Sequence, residues 1–381
     1  VGEGFIDWPK LISEVKKNGD GALLKFSKGL GGTGSSYLDY FENNLYLVSA
    51  NGLIATTNIN NFNKKEFKMK ILKSNLKELL NQKLMHKYPA YGIKDVLISD
   101  KKIYVSFTEE IQKDCFNLSV LVAEISNKHI QFNYFFKPKS CIEKNDESFF
   151  SIHQSGGRII EIDENNLVFS IGEFRSRSLA QNPENINGKI IKINKNSGET
   201  KIISMGHRSS QGLSLDEETN FIYVSEHGPQ GGDEINVIKD FSTTPNFGWP
   251  ISSYGEHYGY PNKDNSKTYK AAPLNKSHEK YGFVEPDVYF VPSIGISEII
   301  NINIENEKIL IASALGYDLE EGDMSLHIFN IKNDNLQKYK IIPLNERVRD
   351  LIYIKEENII FLFLETSTSI GLINLNKSNE S

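Results

Sequence analysis

The stretch Ser225-Glu226-His227-Gly228-Pro229-Gln230-Gly231-Gly232-Asp233-Glu234-Ile235-Asn236 carries the densest set of residues able to do chemistry. Its glycines let the backbone approach a ligand closely, and Pro229 removes an amide donor. The carbonyls of Gly228 and Pro229, beside Asp233 and Glu234, are hard oxygen donors of the kind calcium takes. Taken alone, the same residues also make a long hairpin turn. A second candidate is the pair Arg347 and Arg349, two apart on a strand-like segment. Both then point to one face and could fork around carboxylates, or could sit on a solvated edge beside Glu346 and Asp350. His207, His227 and His257 lack the tight spacing of a zinc site.

The elements that must position these residues read as strands. Phe221-Ile222-Tyr223-Val224, β-branched and aromatic, runs directly into the glycine-rich loop. Similar apolar runs after polar turns begin at Asn44, Lys102, Asn166, Lys308 and Asn358, spaced roughly 50 to 90 residues apart. That spacing holds one four-stranded sheet per repeat, so six repeats predict an all-β, six-bladed β-propeller with four-stranded antiparallel blades. The longest interval contains an insertion, Tyr254 to Pro292, expected to lie over the propeller face. Residues 1–20, with a weakly helical stretch at Trp8 to Val15, form an N-terminal extension without an assigned role, and 21–381 form the single propeller domain. The strand expected at Ala22 to Ser27 would join the last blade and close the ring. Gly31-Gly32-Thr33-Gly34 has no GK[ST] following it and reads as a connector, not a phosphate cradle.

The 381 residues carry a net charge of −6 without a basic patch, which argues against nucleic acid as a partner. No apolar run approaches a membrane span, and the start at Val1-Gly2-Glu3 leaves room for a segment removed upstream. The strands 117–125 and 130–136 fold back on each other through Ser126 to His129. This brings the region of Cys115 opposite that of Cys141, either as a bridge or as two buried thiols.

Several motifs recur in one order: Ile152-His153-Gln154-Ser155-Gly156-Gly157-Arg158, Gly206-His207-Arg208, Gln211-Gly212-Leu213, the loop at 225–236, Asn246-Phe247-Gly248-Trp249-Pro250 and Tyr254-Gly255. Together they closely resemble the glucose/sorbosone dehydrogenase family, soluble sugar dehydrogenases that use pyrroloquinoline quinone (PQQ), and their relatives. The resemblance is densest from Ile152 to Gly255 and thins toward Arg347-Val348-Arg349-Asp350. It implies a six-bladed propeller, a sugar substrate, an unidentified electron acceptor, and PQQ with calcium as cofactors. It makes His153 the general base, able to accept a hydroxyl proton at neutral pH. Arg208 would lie over the quinone, and Arg347 and Arg349 would hold carboxylates of the cofactor. Gly228 and Pro229 would bind calcium through their carbonyls with Asp233 supporting the loop, while Glu234 and the Phe247 carbonyl match a second, structural calcium position. The family's export implies a periplasmic or secreted protein and favours the Cys115–Cys141 disulfide.

The chain departs from the family pattern at four places. Ala90-Tyr91-Gly92-Ile93-Lys94-Asp95 stands where a glutamine or glutamate region precedes a Gly-Leu-Leu motif. Ile152 replaces an acidic or amide residue, Ser209-Ser210 replace an Asn-Pro, and Ala314-Leu315-Gly316 stands where a lysine is usual. Each loss removes a polar or cationic contact, at roughly 1.5 to 3 kcal/mol per hydrogen bond to a charged group. The alternative is a non-catalytic propeller of the same family that binds carbohydrate or protein through its loop face.

Overall fold

The computed structural model describes residues 35–63, 69–144, 150–258, 270–304, 307–316 and 323–375. The extension at 1–20, the strand expected at Ala22 to Ser27 with its role in ring closure, and the connector at 31–34 lie outside these residues.

Six antiparallel sheets follow one another along the chain, each built from strands in sequence order. Their first strands, Ser36–Phe41, Ile93–Ser99, Gly156–Asp163, Ser210–Asp216, Ile296–Ile304 and Val348–Ile354, touch one another in a closed circle, the last against the first. This is the expected six-bladed propeller, with blades 1 to 6 in chain order. The six apolar runs read from the sequence are the second strands: Asn44–Ser49, Lys102–Gln112, Asn166–Ile171, Phe221–Glu226, Glu307–Ala314 and Ile359–Leu364. Neighbouring blades cover both faces of these strands, so Ile360 to Leu364 is buried without alternation.

Four sheets have four strands. In blade 2 a further two-residue strand, Ile142–Glu143, pairs with the start of Cys115–Glu124. That pairing holds Cys115 and Cys141 with Cα atoms 5.4 Å apart, joined as the expected disulfide. Blade 6 has three strands among the described residues. The insertion read as Tyr254 to Pro292 is shorter than expected at its end, since Val288–Phe290 within it is the fourth strand of blade 4 and pairs with the third, Asp233–Ile238. Tight hairpins turn through residue pairs with positive φ, Glu42-Asn43, Asp100-Lys101 and Asn333-Asp334, whose twist matches that of the strands they join.

First strands of adjacent blades share no sheet, so their backbone groups are joined by side chains. Asp350 of blade 6 accepts from the Leu38 amide of blade 1 at 2.6 Å, and Asp95 of blade 2 accepts from Ile159 of blade 3 at 2.8 Å. Glu298 of blade 5 takes the Leu213 amide of blade 4 at 3.2 Å. These three carboxylates surround one guanidinium. Arg158 Nη1 lies 3.0 Å from Asp95, 2.8 Å from Glu298 and 2.7 Å from Asp350, all buried. Burial holds the three carboxyls above their ordinary range, against the pull of Arg158.

Candidate active site at the axial mouth

In blades 2 to 6 the pairing of first and second strands slips near the start of the first strand. In blade 2 the register passes from Ile93↔Phe107 to Asp95↔Ser106, and in blade 6 from Val348↔Leu364 to Asp350↔Phe363. Similar slips occur between Gly156 and Ile159, Ser210 and Gly212, and Ile296 and Ile299. A bulge leaves a residue unpaired and re-aims its side chain. Lys94, Arg158, Gln211 and Arg349 fall at these slips, and all four line one cavity of about 510 Å³ at the axial mouth. Clefts of about 520 and 550 Å³ at the blade edges contain neither histidine nor arginine.

His153, Arg347 and Arg349 line this axial cavity together with His227, Tyr37 and Tyr88. His153 sits in a one-turn 3₁₀ segment, Ile152–Gln154, just before the first strand of blade 3. Its Nε2 lies 3.0 Å from the Tyr88 hydroxyl, and the two rings meet edge to face. Partial burial, with Lys94 and Arg349 nearby, holds its pKa below 6.5.

Arg208 is buried beside the cavity. Its Nη1 donates to the His227 carbonyl at 2.8 Å, and its guanidinium lies 5.4 Å over the Trp249 ring. With its amide oriented to suit its neighbours, Gln154 accepts from Arg208 Nη2 at 2.9 Å and donates to Glu173 at 2.6 Å, linking the His153 turn to Arg208. Among the described residues, the buried Arg208 Nε beside the cavity and His227 Nε2 on its wall have no hydrogen-bond partner. Burial, then Arg208 and Arg349, lower the His227 pKa against the opposing pull of Asp233.

Arg347 and Arg349 share one carboxylate partner. Both hold Glu365, with Arg347 Nη2 at 3.1 Å and Arg349 Nη2 at 3.0 Å, and Ser35 Oγ adds a third donor at 2.5 Å. Burial would raise the Glu365 pKa, but Arg349, Ser35 and Arg347 outweigh it and bring it to about 2.

At the loop after Phe221–Glu226, Asp233 Oδ1 accepts from the Gly228 amide and from Ser293 Oγ, each at 2.9 Å, and Oδ2 accepts from the Ile296 amide at 2.9 Å. A Cβ at Gly228 would stand 2.0 Å from the Gly232 carbonyl, so only glycine closes the loop this tightly. No hydrogen bond from the described residues reaches the carbonyls of Gly228 and Pro229.

Glu234 and the Phe247 carbonyl, the pair expected at a second calcium position, both face a neighbouring histidine. The buried His278 ring stands between them: Nδ1 donates to the Phe247 carbonyl at 2.8 Å, and Nε2 lies 3.5 Å from Glu234, an ion-pair contact too long for a hydrogen bond. Burial would lower the His278 pKa, but Glu234 outweighs it and raises the value. Tyr254 stacks on His278 at 5.5 Å and on Tyr289 at 3.8 Å, which ties the insertion to blade 4.

Sequence reasoning missed Glu365, Tyr88, His227 and Lys94 as members of the site. Lys94 had a readable signal: Ile93-Lys94-Asp95-Val96-Leu97-Ile98 repeats the pattern of Val348-Arg349-Asp350-Leu351-Ile352-Tyr353. In both, the basic residue faces the cavity and the aspartate holds Arg158.

A closed six-bladed propeller with two histidines and four lysine or arginine side chains at one axial mouth defines the class, and the comparisons give the family. Residues 90–371 match the model described as Glucose / Sorbosone dehydrogenase, and the chain belongs to that family. An aldose sugar dehydrogenase of Escherichia coli strain K12 is 32% identical over 116 residues, 27% of this chain and 30% of that protein. An uncharacterized protein of Synechocystis is 25% identical over 219 residues, 51% of this chain and 50% of that one. The chain thus spans half or less of the length of these curated relatives. The apo-form of the soluble aldose sugar dehydrogenase from Escherichia coli superposes with a TM-score of 0.67 at 18% identity, covering 90% of this chain and 97% of that one. The PQQ-bound aldose sugar dehydrogenase from Streptomyces coelicolor gives 0.59 at 18% identity, covering 90% and 94%. At these identities the structural likeness shows the fold.

Proposed function

We propose that the protein is a PQQ- and calcium-dependent sugar dehydrogenase that oxidises an aldose at C1, with His153 as general base. The observation that carries this reading is the axial cavity itself, where a histidine with a lowered pKa faces a wall of basic side chains. The residues present suit the cofactor: a planar tricarboxylate meets Arg347, Arg349 and Lys94, while Arg208 Nε and His227 Nε2 are buried atoms in need of partners. The Gly228 and Pro229 carbonyls would supply two of the oxygens around one calcium, and Asp233 would fix their loop. When bound, the quinone supplies the hydride acceptor that no amino-acid side chain provides.

His153 then takes the proton of the C1 hydroxyl. In the tautomer whose Nε2–H donates to Tyr88, Nδ1 is the accepting atom, and Tyr88 holds the ring in place. The disulfide supports a periplasmic or secreted location, where electrons would pass to an acceptor not yet identified. Among the described residues no helix is long and apolar enough to cross a membrane.

One observation favours the second reading, a propeller that binds carbohydrate or protein without catalysis: Glu365 already occupies the fork between Arg347 and Arg349. Calorimetric titration of calcium-loaded protein with PQQ, followed by an aldose and an artificial electron acceptor, separates the two. Absence of PQQ binding at submillimolar concentration in folded protein would leave the binding propeller.

A further inference from the structure

Lys94 lines the axial cavity but was not among the site residues read from the sequence. It is the unpaired residue of the blade 2 bulge, between Ile93↔Phe107 and Asp95↔Ser106, just as Arg349 is the unpaired residue of the blade 6 bulge. The aspartates that follow them, Asp95 and Asp350, converge on the same Arg158 nitrogen. The two basic residues are therefore equivalent by fold, and both face the cavity. They differ in partners. Arg349 holds Glu365, whereas Lys94 makes no hydrogen bond or ion pair with the described residues.

The stem of Lys94 is fixed by Gly157, whose φ is +121° and where an added Cβ would stand 2.4 Å from Lys94 Cβ. A lysine whose stem is clamped against backbone and whose amine meets no carboxylate among the described residues is left open to a group from outside the chain. Burial and then Arg349 lower its pKa to about 7, a cost that an anion in the cavity would relieve.

We propose that Lys94 is an anion-binding residue of the axial cavity, equivalent in blade 2 to Arg349 in blade 6, and that its amine pairs with an anionic oxygen of the bound ligand. This rests on the cavity being the cofactor site, and in that setting Lys94 supplies a cation that Leu315, on the same cavity wall, does not. The free amine is mostly neutral at pH 8, so binding is accompanied by proton uptake, to which His153 and His227 of the same cavity, with pKa values lowered from 6.5, add little at that pH.

The test is calorimetric titration of calcium-loaded wild type, Lys94→Met and Lys94→Arg at pH 8, each in two buffers of different ionisation enthalpy. The probes are PQQ and benzene-1,3,5-tricarboxylate, a planar tricarboxylate without a quinone. Lys94→Met is expected to weaken binding by about ten- to a hundred-fold and to abolish proton uptake. Lys94→Arg is expected to keep affinity without the uptake, and thermal unfolding shows whether each variant is folded. If wild type binds the tricarboxylate but not PQQ, and Lys94→Met loses that binding, the cofactor assignment fails while the role of Lys94 stands. Equal binding by folded wild type and Lys94→Met, or no binding of either probe to wild type, overturns the proposal.

Discussion

Arg349 grips one oxygen of Glu365 with both Nε and Nη2 at 3.0 Å, while Arg347 holds the other oxygen with Nε at 3.2 Å and Nη2 at 3.1 Å. The carboxylate is thereby held ionised, with a pKa of about 2 against an ordinary 4.5. A carboxyl whose folded pKa is depressed contributes stability that is fully present above its unfolded pKa and is lost as pH falls through the folded one. The window here runs from about pH 4.5 down to about pH 2. Glu365→Gln is expected to lose about 3 kcal/mol at pH 7, with the difference from wild type shrinking below pH 4.5. Urea unfolding across this range checks it, and a pH-independent difference would contradict the ion-pair account.

Arg158 is the one cation shared by Asp95, Glu298 and Asp350, and through their amide contacts it joins blades 1 to 6 at the axis. Removing one member of a buried charged set leaves the others uncompensated, which costs about 3–5 kcal/mol. Arg158→Met is expected to lose at least this much in denaturant unfolding. A loss under 1 kcal/mol would mean that the three carboxyls are held neutral without the guanidinium.

The blades were legible because the second strand of each sheet is covered on both faces and so reads as an unbroken apolar run such as Ile359 to Leu364. The approach of Cys115 and Cys141 was legible because a simple hairpin brings them together, but the choice of a bridge over two buried thiols came from the family resemblance. The axial hub was not, since Arg158, Glu298 and Asp350 meet only after bulges turn them inward, and a bulge leaves no periodic mark in a sequence. Glu365 lies just past a strand, before the turn Thr366 to Thr368, with no pattern around it. The contact of His278 with the Phe247 carbonyl was not legible either, since His278 lies 44 residues beyond Glu234 in the insertion and no motif links the two.

With His278 between Glu234 and the Phe247 carbonyl, the PQQ complex is expected to hold one calcium per chain, at Gly228 and Pro229. Metal analysis after exhaustive dialysis of the complex measures this. Two equivalents of tightly held calcium would show that the imidazole yields its place.

His153 has its imidazole pKa lowered by partial burial and by the neighbouring Lys94 and Arg349. As a general base it acts in the neutral form, so turnover should fall as pH drops through a value below 6.5 and stay level above it. His153→Ala is expected to lose roughly 10²–10⁴-fold in kcat, the usual share of such a base, while its PQQ affinity stays within a few-fold of wild type. Tyr88→Phe removes only the hydroxyl 3.0 Å from Nε2, so it should leave PQQ affinity unchanged and reduce kcat by a smaller factor. Steady-state kinetics from pH 5 to 8, read beside calorimetric affinities for the same three proteins, separates these effects. If His153→Ala keeps its kcat, or loses cofactor binding in proportion to turnover, the histidine is a binding residue and the proton leaves the sugar by another route.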